Sequence, residues 1–172
     1  AIGSLTGLSQ PRMGVIFPYT PQVTITHIAN YTPQKLTHNN YAQYFYDNSE
    51  VSAITIGGEF TVQNVTEGQY LLATIYFFRA LTKMFFGTDQ TYAGNPPPIV
   101  FLNGYGQYYL PNVPCVVTSF QHTLPDNVDY IEVSAPQGGG YTVQQGSTSG
   151  KVRIPTTSTL TVTVQPVYSR NN

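Results

Sequence analysis

Residues 66–87, TEGQYLLATIYFFRALTKMFFG, form the only convincing helix in the sequence. Thr66 is followed three residues later by Gln69, which is the spacing of a capping box. Gly87 stands where a left-handed residue commonly ends a helix. The sequence therefore predicts a helix over residues 67–86, about 30 Å long at 1.5 Å per residue.

The two sides of this helix differ. At 100° per residue, one half of the circumference is apolar and is predicted to face the core: Tyr70, Leu71, Ala73, Phe77, Phe78, Ala80, Leu81, Met84 and Phe85. The other half mixes apolar with polar side chains, which suggests a second partner such as another subunit: Leu72, Ile75, Tyr76, Arg79, Thr82, Lys83 and Phe86. The longest uncharged run, residues 68–78, is too short to span a bilayer, which needs about 20 apolar residues.

Charge is scarce throughout the chain. Its 172 residues are long enough for one domain with a real core, so we expect a single domain over residues 1–172. Only 9% of the residues are charged, against about 25% in an average domain. The formal net charge is −1 and Lys and Arg form no cluster, which argues against nucleic-acid binding by a basic surface. A surface this poor in charge favours assembly with further copies.

The other periodic segments alternate like strands, so the class is mainly β with one packed helix. The predicted strands are residues 13–17, 22–31, 51–63, 99–103, 107–110, 113–124, 128–134, 152–154 and 157–168. Residues 32–50 are predicted to be a long connection with an aromatic patch, a length that indicates function or a partner. Residues 1–12 are expected to form an N-terminal arm, and residues 135–150, rich in Gly, Gln and Ser, a flexible loop.

Catalytic and metal-binding patterns are weak. The three histidines are isolated and lie in no ligand motif: His27, His38 and His122. Cys115 is the single cysteine, follows a proline on a predicted strand and has no cation beside it, so a core thiol is favoured over a nucleophile. Glu50 and Glu59 would lie on opposite faces of one strand, which makes a glycosidase pair the least favoured hypothesis. We predict no catalytic residue, no metal and no cofactor.

Five stretches together resemble a known family. They are FPYTP (17–21), TITHIANY (24–31), HNNYAQYFYDNSEV (38–51), TVQNVTEGQYLLATIYFFRALTKMFFG (61–87) and GNPPPIVFLNGYGQYYLPNVPCVVTSFQHTLPDNVDYI (94–131). In this order they are similar to the baseplate tail-tube proteins, of the tube-initiator type, of contractile-tailed bacteriophages. The resemblance covers about residues 15–134, and the terminal VTVQPVY strand is also similar. Family members are usually longer, whereas this chain ends at Asn172, so we expect a processed or partial form.

The resemblance implies a tail-tube β-barrel or sandwich with a flanking helix, six copies of which close into a ring around a lumen. Such rings cap the baseplate hub and initiate polymerisation of the tail tube, and the lumen passes the tape-measure protein and later double-stranded DNA. The protein would be a structural virion component, neither an enzyme nor a membrane protein, folded in the host cytoplasm. Two hairpins, residues 22–63 and 113–134, would line the lumen, with the helix outside them.

Carried onto this chain, the family suggests a subunit interface formed by the second helix face and the tyrosines of residues 32–50: Leu72, Ile75, Tyr76, Arg79, Lys83, Phe86, Tyr41, Tyr44 and Tyr46. The alternative is a carbohydrate-binding β-sandwich of a receptor-binding or adhesin protein, since exposed tyrosines also stack on sugars. That hypothesis depends on Tyr41, Tyr44, Tyr105, Tyr108 and Tyr109.

Overall fold

The computed structural model describes residues 14–85, 93–134 and 151–168. In these ranges nine strands and one helix make up a mainly β structure, as the alternating segments predict. The strands are β1 (Gln22–Thr24), β2 (His27–Gln34), β3 (Gln43–Val51), β4 (Ile54–Thr61), β5 (Val100–Gly104), β6 (Leu110–Thr123), β7 (Tyr130–Ser134), β8 (Lys151–Pro155) and β9 (Thr157–Pro166). The helix, α1, spans Val65–Leu81.

Five strands form one antiparallel sheet in the order β1-β4-β9-β6-β5, and this sheet is curled like half a barrel. The hydroxyl of Tyr105, just beyond β5, donates a 2.6 Å hydrogen bond to the carbonyl of Pro21, just before β1. Because β1 and β5 are opposite edges, this bond joins the two sides of the curled sheet. An extra residue in β6, Thr118, shifts the register against β9, and such a bulge bends and twists a strand.

The core lies on one face of this sheet because β4 and β9 alternate along their whole length. Ile54, Ile56 and Phe60 of β4 are buried beside Leu160 and Val162 of β9. The intervening residues point to the opposite face, since successive side chains on a strand alternate. Helix α1 packs over the buried face with these side chains: Leu71, Ile75, Phe78 and Leu81.

The β7–β8 pair covers the beginning of α1 from a second side. Val133 of β7 is fully buried in the same cluster as Leu71. A Cβ atom placed on Gly68 would lie 2.6 Å from Cγ2 of Val133, so only glycine permits this approach. The first turns of α1 are therefore enclosed between the large sheet and the small one.

The start of α1 differs from the prediction. Asn64 is the N-cap, and its Oδ1 accepts a 2.9 Å hydrogen bond from the backbone N–H of Glu67. The Glu67 carboxylate returns along the chain and accepts a 2.8 Å bond from the backbone N–H of Gln63. The capping box thus begins two residues before Thr66, because an Asn with a Glu three residues later makes a similar reciprocal pair. The helix also ends earlier, with Thr82 as its C-cap, while Gly87 lies outside the described residues.

The prediction that Ile75 lies on the second helix face is wrong. Ile75 is only 8% exposed and packs in the core with Phe60 and Leu160. It stands four residues after Leu71 and three before Phe78, so all three side chains fall on one line of the helix. Two residues assigned to the core side, Met84 and Phe85, are instead exposed beyond the end of α1. Ala80 is exposed as well.

Other predictions from the sequence are wrong as well. Residues 32–50 are not a connection, because they contain the end of β2 and most of β3. Residues 113–134 are not a hairpin, since β6 pairs with β5 and β9 whereas β7 pairs with β8. Gly57 and Gly58 pair regularly with β9. A Cβ atom at position 58 would clash with the Phe17 ring, which explains the glycine there.

The predicted hairpin at residues 22–63 is present in two parts, as β1 pairs with β4 and β2 with β3. Residues 14–17 form no strand in the structure. The N-terminal arm at residues 1–12 and the loop at residues 135–150 lie outside the described residues, as does Phe86.

Truncating Ile75 should destabilise the fold. We expect Ile75→Ala to lower the free energy of unfolding by about 2–5 kcal/mol, because it removes a buried branched side chain from the core. Tyr76→Ala is the matched control, since Tyr76 is the next residue and is 60% exposed. Urea unfolding followed by circular dichroism measures both. Equal losses in the two variants would contradict the placement of Ile75.

The cap can be tested by two alanine substitutions two residues apart. Asn64→Ala should cost about 1 kcal/mol of stability, because the backbone N–H of Glu67 loses its acceptor. Thr66→Ala lies inside the first turn and should change stability by less than about 0.5 kcal/mol. Thermal unfolding of both variants distinguishes the caps, and a larger loss from Thr66→Ala would restore the capping box expected from the sequence.

Candidate functional site

The face of the sheet opposite α1 is polar and almost uncharged. Residues that are paired across β1, β4, β9 and β6 form rows on this face. The first row is Thr24, Thr55, Thr163 and Ser119, and the second is Gln22, Gly57, Thr161 and Gln121. Further along lie Glu59, Thr159 and Thr123. We call these side chains the Thr/Gln face. Among the described residues of this face, Glu59 is the only charged one. Threonine suits such a surface because its branched Cβ favours a strand while its hydroxyl faces water.

The β2–β3 pair, which we call the ribbon, extends away from the sheet. Its strands are hydrogen-bonded to each other and to no other described strand. Eight residues of β2 correspond to about 26 Å. Nearly all residues of both strands are exposed, including Tyr31, Tyr44, Phe45 and Tyr46. A two-stranded hairpin is only marginally stable alone in water, so the ribbon is a segment that a partner would stabilise.

One face of the ribbon is aromatic. The Tyr31 and Tyr46 rings, directly opposite each other, meet edge to face with centroids 5.6 Å apart. Pro33 and Tyr44 form the next pair on the same face. The Tyr46 hydroxyl also donates a 2.7 Å bond to Oγ of Ser49. Such pairs add to the stability of a hairpin, and tyrosine is enriched in protein interfaces.

The other face of the ribbon carries its acidic side chains, together with the apolar Ile28 and Phe45. Nδ2 of Asn30 donates to Oδ1 of Asn48 at 2.9 Å and to Oε1 of Glu50 at 3.4 Å. The Thr32 hydroxyl donates to the carboxylate of Asp47, which stands at the point where the register of the two strands shifts. We call this the acidic face of the ribbon. Its two carboxylates are held in place although both are exposed.

The ribbon is attached to the sheet at its root. The backbone N–H of Ser52 donates a 2.8 Å bond to the carbonyl of Thr26, and Nε2 of Gln165 donates a 3.1 Å bond to the carbonyl of Val51. A shallow open cleft lies here, lined by His27, Ile28, Ser49, Glu50, Val51, Gln165, Pro166 and Tyr168. Because the cleft is open and its walls hold no group of converging charges, we assign it no chemistry.

The predicted interface residues divide into two groups. On α1 and just after it, Leu72 is half-buried, whereas Tyr76, Arg79 and Lys83 are exposed and lie beside one another. Ile75 belongs to the core, as described above. Tyr41, Tyr44 and Tyr46 are exposed on or next to the ribbon. The two groups make no hydrogen bond with each other in the described part of the chain.

The tyrosines of the carbohydrate hypothesis lie on two separate hairpins. Tyr41 and Tyr44 are at the far end of the ribbon, whereas Tyr105, Tyr108 and Tyr109 surround the turn between β5 and β6. The Tyr105 and Tyr109 rings meet edge to face with centroids 5.7 Å apart. The Tyr105 hydroxyl is already bonded to Pro21.

The residues considered for catalysis are scattered. Glu50 is on the ribbon and Glu59 on the sheet, so they share no strand. Cys115 is fully buried, as predicted, and burial raises the pKa of its thiol. Within residues 14–85, 93–134 and 151–168, no three His, Cys, Asp or Glu side chains come together in a way that could hold a metal ion.

His122 is half-buried on the α1 side of the sheet. Burial lowers its pKa, and the positive charge of Arg79 acts in the same direction. Its Nε2 has no hydrogen-bond partner in the described part of the chain. On the β7–β8 pair, a hydrogen bond from Lys151 at 3.1 Å lowers the pKa of the exposed Glu132, with a further contribution from Arg153. Neither group lies in a cleft.

The Thr/Gln face and the acidic face of the ribbon were not predicted from the sequence. The first had a usable signal, because residues 157–163 alternate threonine with Ser, Leu and Val, and the threonines had to share one face. The second depends on the pairing of β2 with β3 and on its register shift, for which the sequence carries no comparable signal.

The chain matches none of the protein-family models, and none of the curated proteins, with which it was compared. Within the described residues, α1 is too short and insufficiently apolar to cross a bilayer.

Stability should fall as the pH is lowered through the titration of His122. The pKa of His122 is lowered in the folded state, so the unfolded chain takes up the proton first, near pH 6.5. The free energy of unfolding therefore decreases below about pH 6.5. Urea unfolding at pH 8 and pH 5.5 should show a larger loss for the wild type than for His122→Gln. Equal losses would mean that His122 does not carry the effect.

Proposed function

We propose that this chain is a structural ring subunit of the baseplate of a contractile phage tail or a related device, of the tube-initiator type. Six copies would close into a ring that caps the baseplate hub and starts tail-tube polymerisation. Its partners would be further copies, the hub and the adjacent tube proteins, with the tape-measure protein and double-stranded DNA as contents of the lumen. The protein would be part of the virion and would act without a catalytic site or a cofactor.

The observation that carries the proposal is the exposed ribbon. A monomer gains little from about 26 Å of two-stranded sheet that holds four large aromatic side chains in water. A neighbouring copy that covers these side chains would bury them and stabilise the hairpin. The low charge of the whole chain, 9%, is typical of a surface that is mostly covered in its working state.

The Thr/Gln face supports the lumen assignment. DNA must slide through a tube, and lysines or arginines along the wall would bind its phosphates. The described part of this face has no Lys or Arg, and its one charge is the carboxylate of Glu59, which repels phosphate.

The open sheet edges also fit a ring. In the described part of the chain, β1 and β5 each pair on one side only. Unpaired edges invite pairing with another chain, and a closed ring of identical copies satisfies every edge. The unpaired edges favour the ring over the carbohydrate-binding module. The module is also less favoured because its five tyrosines lie on two separate hairpins.

Removing the ribbon should prevent assembly without unfolding the subunit. Residues 28–50 would be replaced by Asn-Gly, because His27 and Val51 are directly paired and a two-residue turn can join them. We expect this variant to unfold cooperatively like the wild type but to stay monomeric, whereas the full chain forms rings of six. Native mass spectrometry and two-dimensional class averages measure the two outcomes. A full chain that stays monomeric even with its hub and tube neighbours would contradict the proposal.

A further inference from the structure

Two cations at the end of α1 have no ionic partner within the described part of the chain. Arg79 lies in the last turn, and Lys83 follows the C-cap, where its backbone N–H bonds to the carbonyl of Ala80 at 3.1 Å. Both side chains are exposed. By contrast, Lys151 and Arg153 share the carboxylate of Glu132 at 3.1 and 3.6 Å. The helix dipole favours a cation such as Arg79 in the last turn. It does not explain a second cation, Lys83, beyond the end of the helix.

Two anions on the ribbon likewise form no ion pair within the described part of the chain. Among the described residues, the side chains that donate to Asp47 and Glu50 are neutral: the Thr32 hydroxyl and the Asn30 amide. These bonds hold both carboxylates on the acidic face. Lys35, the ribbon's one lysine, lies beyond the end of β2 in the connecting turn. The acidic face therefore presents two preordered negative charges without a compensating cation on the same strands.

The two charged groups do not meet within one copy. Neither Asp47 nor Glu50 forms an ion pair with Arg79 or Lys83, and the ribbon extends away from the sheet that α1 covers. The chain has only seven Lys and Arg and eight Asp and Glu. Two cations and two anions without an ion pair among the described residues are therefore a large share of its charge.

We propose that the acidic face of the ribbon binds Arg79 and Lys83 of a second copy of this chain. The contact is head to tail, since the ribbon and α1 are different surfaces, and head-to-tail contacts repeat around a closed ring. The inference rests on the proposed ring function and adds to it which surface meets which. Charge pairs at such a contact select the partner and fix the register more than they add affinity.

The contact leaves the aromatic face of the ribbon on the opposite side. That face is then free to cover a further apolar surface of the ring. The exposed Tyr76, beside Arg79 and Lys83 on α1, would lie at the margin of the charged contact. Aromatic groups around charge pairs exclude water and strengthen the pairs.

A charge exchange tests the proposal directly. The first variant reverses the ribbon with Asp47→Arg and Glu50→Arg, and the second reverses the helix end with Arg79→Glu and Lys83→Glu. In each variant alone, the ribbon and the helix end carry charges of the same sign, so we expect the contact to weaken by about tenfold or more. Mixed in equal amounts, the two variants can alternate around a ring. Every contact then joins a ribbon and a helix end of opposite charge, and rings of six should form again.

Two controls separate the contact from other effects. A chain that carries all four substitutions should assemble like the wild type, because both sides are exchanged. Asp126→Arg with Asp129→Arg changes the net charge as much as the ribbon variant, but on the turn before β7, and should leave assembly intact. All measurements are made at pH 8, above the ordinary pKa of histidine, which burial lowers further at His122.

The outcomes distinguish this inference from the function on which it rests. A wild-type chain that never forms rings, alone or with hub and tube proteins, overturns the proposed function. Wild-type rings with both reversed variants assembling equally well overturn the ribbon-to-helix contact and leave the ring. The contact is also overturned if neither the mixture nor the fourfold variant forms rings although each chain unfolds like the wild type. Recovery in both, with weaker rings at high salt, supports it.

Discussion

The burial of α1 against the alternating face of β4 and β9 is the interaction on which the rest of the structure depends. Phe78 and Leu81 belong to one cluster with side chains of both strands. Leu71 and Ile75 belong to a second cluster, which includes Val133 and encloses the start of the helix. Because side chains alternate strictly along a strand, covering one face with a helix determines the identity of the other. The threonines of β9 face outward because its valines and leucine face the helix.

This division has a consequence for the ribbon. The chain leaves the sheet at Thr26 and returns at Ser52, outside the region that α1 covers. Among the described residues, no helix buries either face of β2 or β3. Their pairing is maintained by backbone bonds, the Tyr31–Tyr46 contact and the hydrogen bonds to Asp47 and Glu50. The same chain thus has a part with two buried clusters and an extension whose side chains are nearly all exposed.

Much of this architecture could be predicted from the sequence, and the failures have identifiable causes. Strands β4 and β9 alternate over eight or more residues, so their class was clear. The helix was equally clear, but two capping patterns overlap at its start, and Asn64 with Glu67 prevails over Thr66 with Gln69. Ile75 was misplaced because its position lies at the border of the two faces, and the β7–β8 pair widens the buried arc.

Residues 32–50 failed for a different reason. Pro33, several polar residues and four aromatic residues give no alternation, because neither face of the ribbon is buried in the monomer and no core selects for it. A strand pairing that depends on a partner leaves a weaker pattern than one that depends on the subunit's own core. The absence of a pattern in a long aromatic segment was therefore a signal in itself, since an idle loop of nineteen residues is uncommon in a compact domain. A segment of this kind is where the surface that joins one copy to another is expected to lie.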